Sequence, residues 1–299
     1  MAEIALKAEL LRWAGLLRPV GKPFLSVLKI ASDLGTVVSL RVHTDCSRPT
    51  AQIDFRQCPA KIVLFRQGRA EGEQALGAHE ENLLTSRERF SVAHELGHWI
   101  ALSRLGIGVQ TDKKAYWDHE HAVNAFAGSL LAPDWLVANW LKRMPEGVAV
   151  SPFSLKYWAD SECRVSEEVI AKRLAGNRSS IGFLRVQPVK RARDRAEILR
   201  VICSAAGDAL RLPGERAYVD APELFGLIKS SKVGEACLSG VRLGRCEPQD
   251  LQIAWRRGKP ILSEPTMWIS LVLVPKKGAF HRRYAHDVSK SGELPFHAE

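Results

Sequence analysis

Apolar positions in the first third of the chain switch between two periods. Residues 4–17 repeat at helical spacing and end at Pro19 and Gly21, which predicts an amphipathic helix. A second helix is expected over 23–32, stopped by Gly35. Alternation and β-branched content then predict short strands over 37–42, 51–55 and 62–65, and the polar, Gly-containing stretch 67–82 reads as a loop. Thr85 followed three residues later by Glu88 is a capping box that starts a helix near residue 86. Within that helix Phe90, Ala93, Gly97 and Ala101 follow helical spacing, while Val92, Leu96, Trp99 and Ile100 make a second apolar face. A helix apolar on most sides is a buried one. The next helix carries Val123, Phe126, Ala127, Leu130 and Leu131, and Pro133-Asp134 ends it and opens another.

A different organisation starts near Ser151. Residues 154–161 read as a short helix, 162–164 as a turn and 165–174 as a second helix, with Ser166 as N-cap and Gly176 as stop. This is helix-turn-helix spacing, yet Glu167 and Glu168 occupy the leading end that would meet DNA, where they repel phosphate. The favoured reading is therefore a helical hairpin packed on the preceding unit. Beyond residue 180 the pattern changes to strands, over 181–186, 198–203, 236–243, 251–255 and 268–274, with a helix over 222–230. That content suits a GAF-like or PAS-like sensor-type domain. The polar residues from 278 onward are expected to be disordered. The expected class is α+β in three parts: 1–148, a helix-turn-helix-like segment 149–178, and a C-terminal α/β domain 179–299.

Composition narrows the setting. A chain of 299 residues with 46% hydrophobic content can bury a substantial core. It has no run of about 18 apolar residues, and Glu3, Lys7 and Glu9 interrupt any signal-peptide layout, so the expectation is a cytoplasmic protein without a membrane partner. The six cysteines form no C-x-x-C pair, and a chain this large does not need a disulfide framework, so reduced thiols are expected. A net charge of +10 is gathered in three clusters: Lys190, Arg191, Arg193 and Arg195; Arg256, Arg257 and Lys259; and Lys276, Lys277, Arg282 and Arg283. Such clusters attract phosphate backbones or an acidic partner, but charge runs are usually solvated surface, and nucleic acid is not the favoured partner.

The chemistry sits in the buried helix, where His94, Glu95 and His98 form an H-E-x-x-H motif. Residues four apart share a helix face, so both imidazoles can reach one metal ion with Glu95 beside them as general base. Burying two imidazoles and a carboxylate is costly unless a metal satisfies them. Gly97 in mid-helix, about 1 kcal/mol worse than Ala, implies a close backbone or ligand approach. A catalytic zinc needs a third ligand. Glu120 and Asn124 lie one turn apart on the next helix, so that Glu120 can bind the metal while Asn124 holds a ligand histidine by its second ring nitrogen. Asp118, His119 and His121 compete for the ligand role, with His121 on a different face. Tyr116, read as preceding this helix, is a weaker candidate for stabilising an oxyanion. Two histidines and one carboxylate suit zinc, and manganese or iron accept the same mixed donors.

Two blocks, R-E-R-F-S-V-A-H-E-L-G-H at 87–98 and E-H-A-V-N-A-F-A-G-S-L-L-A-P at 120–133, resemble the ImmA/IrrE (PprI-like) metallopeptidases. One departure is Val123, where that family usually has Ala. The resemblance implies a zincin-like fold, His94, His98 and Glu120 as metal ligands, and Glu95 as catalytic base. It further implies a regulatory endopeptidase that cleaves a helix-turn-helix transcriptional repressor in a stress or DNA-damage response, with the C-terminal domain receiving the signal. The competing expectation is a DNA-binding or partner-binding regulator whose metal is mainly structural.

Overall fold

The computed structural model describes residues 2–275, apart from 22–23, 44–49, 69–70, 109–111, 144–151, 178–180, 191–196, 208–209, 211, 220, 244, 247–248 and 258–268. The tail from 278, Cys46, and most of the three basic clusters lie outside the described residues. The chain divides into two compact units, Met1–Leu141 with Phe153–Arg178, and Lys142–Pro152 with Ser179–Glu299. The helical segment after residue 152 thus shares a unit with the H-E-x-x-H helix.

The first unit sets helices against a four-stranded sheet. Strands β1 (Thr36–His43), β2 (Ala51–Asp54), β3 (Ala60–Gln67) and β4 (Gly72–Leu76) pair in the order β2-β3-β1-β4, with β1 and β3 parallel and the other pairs antiparallel. The period-two pattern puts Val38 and Leu40 beside Ile62 and Leu64 in register, all buried. The stretch 67–82 is not a loop: it holds β4 and a 3-10 turn at Ala78–Leu83. β4 escapes an alternation test because it is a polar edge strand whose first four side chains are exposed. Glu73 on it reaches across the sheet to Ser39, Arg41 and Lys61.

Helix α1 (Ala2–Leu17) packs on the metal-motif helices. α2 (Val27–Asp33) begins later than the apolar pattern suggests, because Ser26 turns the chain and its side chain caps the Lys29 N–H. α3 (Ser86–Leu105) starts at the Thr85–Glu88 capping box and stops at Gly106, whose φ of 67° suits glycine. Its Val92, Leu96 and Ile100 are fully buried, each worth about 1.5–3 kcal/mol. Arg66 on β3 holds Glu88 through two hydrogen bonds, fixing the first turn of α3 to the sheet. α4 (Lys113–Leu131) starts a turn before the sequence expectation, with Asp112 accepting from the N–H groups of Lys114 and Ala115. Tyr116 therefore lies inside α4 and not ahead of it.

α5 (Asp134–Arg143) is followed by α6 (Pro152–Tyr157), which runs into a π-helical turn at Trp158–Cys163, and by α7 (Glu167–Asn177). Trp140 stacks on Trp158 and donates to Glu162. α7 buries Glu167, Val169, Ile170, Ala171, Leu174 and Ala175, and its Arg173 bonds the Ala132 carbonyl and Asp134. Its leading end is thus packed inside the first unit.

The second unit is an antiparallel sheet. β5 (Gly182–Lys190), β6 (Glu197–Ala206), β7 (Tyr218–Val219), β8 (Val233–Val241), β9 (Gln249–Arg257) and β10 (Ile269–Pro275) pair in the order β7-β6-β5-β10-β9-β8. Helix α8 (Pro222–Ser230) lays Leu224 and Ile228 into a cluster with Leu184, Val201 and Ile253. Among the described residues no helix is long and apolar enough to cross a membrane.

Candidate metal centre

α3 presents His94 and His98 one turn apart, and α4 crosses it at the point where Gly97 lacks a side chain. A Cβ at residue 97 would lie 2.9 Å from Val123 Cγ1 and 3.0 Å from Phe126 Cδ1. The glycine therefore serves a close helix approach, and that approach carries Glu120 to the histidine pair. The two Nε2 atoms stand 3.1 Å apart, and the Glu120 carboxylate straddles them, with Oε2 3.4 Å from His94 Nε2 and Oε1 3.4 Å from His98 Nε2. Donor atoms bound at about 2.0–2.1 Å to a tetrahedral ion are separated by about 3.3 Å. The nitrogen–nitrogen and nitrogen–carboxylate separations are therefore close to those between donors around one such ion, and the residues fit a zinc-type ion.

The environment is largely closed, with side-chain exposures of 18% for His94, 10% for His98 and 16% for Glu120. Each imidazole is also held from behind. His94 Nδ1 lies 3.2 Å from Asn124 Oδ1, so an Nδ1–H donating to the amide oxygen leaves Nε2 bare toward the other donors. His98 Nδ1 lies 3.1 Å from His119 Nε2. Of the three residues competing with Glu120, none joins the donor group among the described residues. His119 is behind His98, His121 is exposed, and Asp118 stays outside.

Charge follows from this packing. Glu120 is held far below the usual carboxylate range by its contacts with His94 and then His98. Burial pulls the His94 pKa down, but the Glu120 contact and the charges of Glu95 and Glu120 outweigh it, and the net direction is up. Burial pushes Glu95 up, against the pull of His94 and His98, while the Ile53 backbone N–H donates to its carboxylate. A carboxyl group raised toward neutrality can both take and return a proton. The charge of Glu120 pushes the Tyr116 phenol up as well.

Thr50, Ala51, Phe90, Ser91, His94, Glu95, Glu120 and Asn124 line an open cleft of about 340 Å³ over these groups. Ala51 begins β2, the outer strand of the sheet, and Ile53 of the same strand touches Glu95. Motif spacing gives no signal for Ile53, which reaches the site through tertiary packing, while His119, expected as a competing ligand, meets His98 Nδ1 instead. Residues 79–175 match the family model described as the IrrE N-terminal-like domain of the M78 peptidases. No curated protein matches the chain. The match spans both metal-motif helices, runs into α7 and lies over the His, His, Glu cluster, so residues 79–175 form a domain similar to the metallopeptidase domain of the ImmA/IrrE family.

Proposed function

We propose that the protein is a regulatory metal-dependent endopeptidase in which His94, His98 and Glu120 hold zinc and Glu95 is the general base. The observation that carries this reading is the pair of Nε2 atoms 3.1 Å apart with a Glu120 carboxylate oxygen 3.4 Å from each, Oε2 beside His94 and Oε1 beside His98, next to a buried carboxyl group in an open cleft. Two imidazoles and a carboxylate suit zinc, and manganese accepts the same donors. When bound, such an ion supplies Lewis acidity toward water and toward a scissile carbonyl. Glu95, buried beside the two histidines, takes the proton of the attacking water and returns it to the leaving amine. Asn124 keeps His94 in one tautomer. An extended peptide would lie along β2, an outer strand of the sheet whose Ala51 lines the cleft.

The favoured substrate is a helix-turn-helix transcriptional repressor cleaved in a stress or DNA-damage response in the cytoplasm. The family resemblance supports that choice. The second unit would act as a GAF-like or PAS-like receiver of the signal, a role supported by its antiparallel sheet with α8 on one face. Direct DNA reading by α7 is disfavoured, because Glu167 at its leading end is buried and Glu168 is paired with Lys172.

The test is incubation of the zinc-loaded chain with candidate repressors encoded in the same genome, with Glu95→Gln in parallel. The wild type is expected to make a defined cut, and Glu95→Gln to bind zinc normally while cleaving at least about 10²-fold more slowly. Undiminished cleavage by Glu95→Gln would refute the mechanism. Sequence-dependent, salt-sensitive DNA binding without cleavage of any repressor would refute the function.

A further inference from the structure

We propose that His119 is a positioning residue for the metal centre: it accepts the Nδ1 proton of His98 and thereby turns the His98 Nε2 lone pair toward the ion. The inference rests on the metal reading above and adds a residue that the two family-like blocks do not contain, since 119 falls just outside the second.

The two nitrogens of His98 face different partners. Nε2 points at the donor group, 3.1 Å from His94 Nε2 and 3.4 Å from Glu120 Oε1. Nδ1 points at His119 Nε2, 3.1 Å away, and the two ring planes differ by only 10°. A histidine that ligates through Nε2 carries its proton on Nδ1, and that proton needs an acceptor. His119 Nε2 is placed to be that acceptor. It can accept only as a bare nitrogen, so the His119 proton sits on its own Nδ1.

That last proton is where the arrangement costs stability. His119 is 3% exposed, and its Nδ1 is buried with no hydrogen-bond partner among the described residues. An unpartnered buried N–H is costly, and buried polar groups are otherwise almost always satisfied. A residue chosen for packing alone would be apolar here. The imidazole makes sense if its acceptor nitrogen is needed more than its donor is missed.

The pattern is also doubled. His94 is oriented through Nδ1 by Asn124, and His98 through Nδ1 by His119. Both orienting residues stand on α4, four residues after Glu120 and one before it. One helix therefore delivers the third ligand and the orienting partner of each of the other two. His119 is not itself a ligand, because its Nε2 lies on the far side of the His98 ring and outside the donor group.

The test compares two variants in the full-length protein. His119→Leu fills space without an acceptor, whereas His119→Gln offers an amide oxygen near the place of Nε2. Zinc affinity is measured by competition with a chromophoric chelator, and urea unfolding of the zinc-stripped protein is measured alongside. His119→Leu is expected to lose about 10–100-fold in zinc affinity. Its zinc-stripped stability should be unchanged or higher, because an unpartnered N–H has gone. His119→Gln should restore most of the affinity. A purely structural role would instead lower stability in both variants and leave the affinity difference absent. Wild-type affinity in His119→Leu, or equal losses in the Leu and Gln variants, would overturn the proposal while leaving the metal site standing. Failure of the wild type to bind zinc, or His94→Ala binding as tightly as wild type, would overturn the metal reading itself and this inference with it.

Discussion

Gly97→Ala is the sharpest probe of how the two helices make the centre. Ala favours a helix interior over Gly by about 1 kcal/mol, so on an isolated helix the change stabilises. Here the new methyl would stand 2.9 Å from Val123 Cγ1 and 3.0 Å from Phe126 Cδ1, where carbon atoms rest about 3.5–4.0 Å apart. Relieving both contacts pushes α4 away from α3 by several tenths of an ångström. Overpacking of this kind costs about 1–3 kcal/mol, so the net expected loss of stability is about 0–2 kcal/mol. The effect on the metal should be larger than that on the fold. Glu120 is one turn from Val123 on the displaced helix, and sites of this type tolerate only about 0.5 Å of misplacement. Zinc affinity, read by chelator competition, should fall about tenfold or more, as when a ligand loses its orientation.

The matching rescue is Val123→Ala, which removes the nearer obstacle and restores the residue usual in the family. Gly97→Ala with Val123→Ala should regain zinc affinity, with a favourable coupling of about 0.5–3 kcal/mol in unfolding. Zinc affinity in Gly97→Ala equal to wild type, or no coupling with Val123→Ala, would refute the claim that helix spacing sets the site.

Two further outcomes follow from other parts of the first unit. Arg89→Ala removes a fully buried guanidinium that bonds Glu81 and the carbonyls of Leu25, Cys163 and Arg164, and leaves the buried Glu81 carboxylate without its counter-charge; urea unfolding should show a loss of about 3–5 kcal/mol. Lys61, then Arg41 and Ser39, hold Glu73 down from 4.5 to about 2. A depressed carboxylate stabilises above its unfolded pKa and loses that contribution as pH falls, so the window is about pH 4.5 to 2. Because the pair is partly solvated, the effect should not exceed about 1 kcal/mol, and Glu73→Gln should flatten acid unfolding in that window.

How much of this was legible in the residues depends on whether the signal was local. The α3 start was readable because a capping box is a matter of four consecutive residues, and the pairing of His94 with His98 because i, i+4 spacing survives any tertiary context. Gly97 announced a close approach without naming the partner, since nothing local marks Val123 and Phe126 as the residues that fill the gap. β4 was missed because an exposed polar edge strand buries almost nothing and leaves no alternation. The start of α4 was misplaced because Asp112 caps a first turn whose Tyr116 and Trp117 face solvent, so the apolar pattern begins only further along. His119 was visible as a candidate ligand, but only packing shows which nitrogen of which ring it meets.

The stretch spaced like a helix-turn-helix shows how such a pattern can serve a different end. Its corner, at Arg164, lies in the left-handed region with φ of 50°, and the carbonyls of Cys163 and Arg164 both accept from Arg89. Arg89 stands five residues before His94 on the metal helix and also bonds Glu81, which in turn accepts from Ser26 Oγ and the Leu28 N–H. One buried guanidinium thus ties the corner, the 3-10 turn and the cap of α2 to the helix that bears the histidines. A reading helix must offer its leading end to a groove, whereas here the residues around that end are committed to holding α3 in place. If His94 and His98 hold a metal as proposed, their rigid placement is what a tetrahedral centre requires, and the compact turn between α6 and α7 would support metal affinity through Arg89 without touching the proposed ligands.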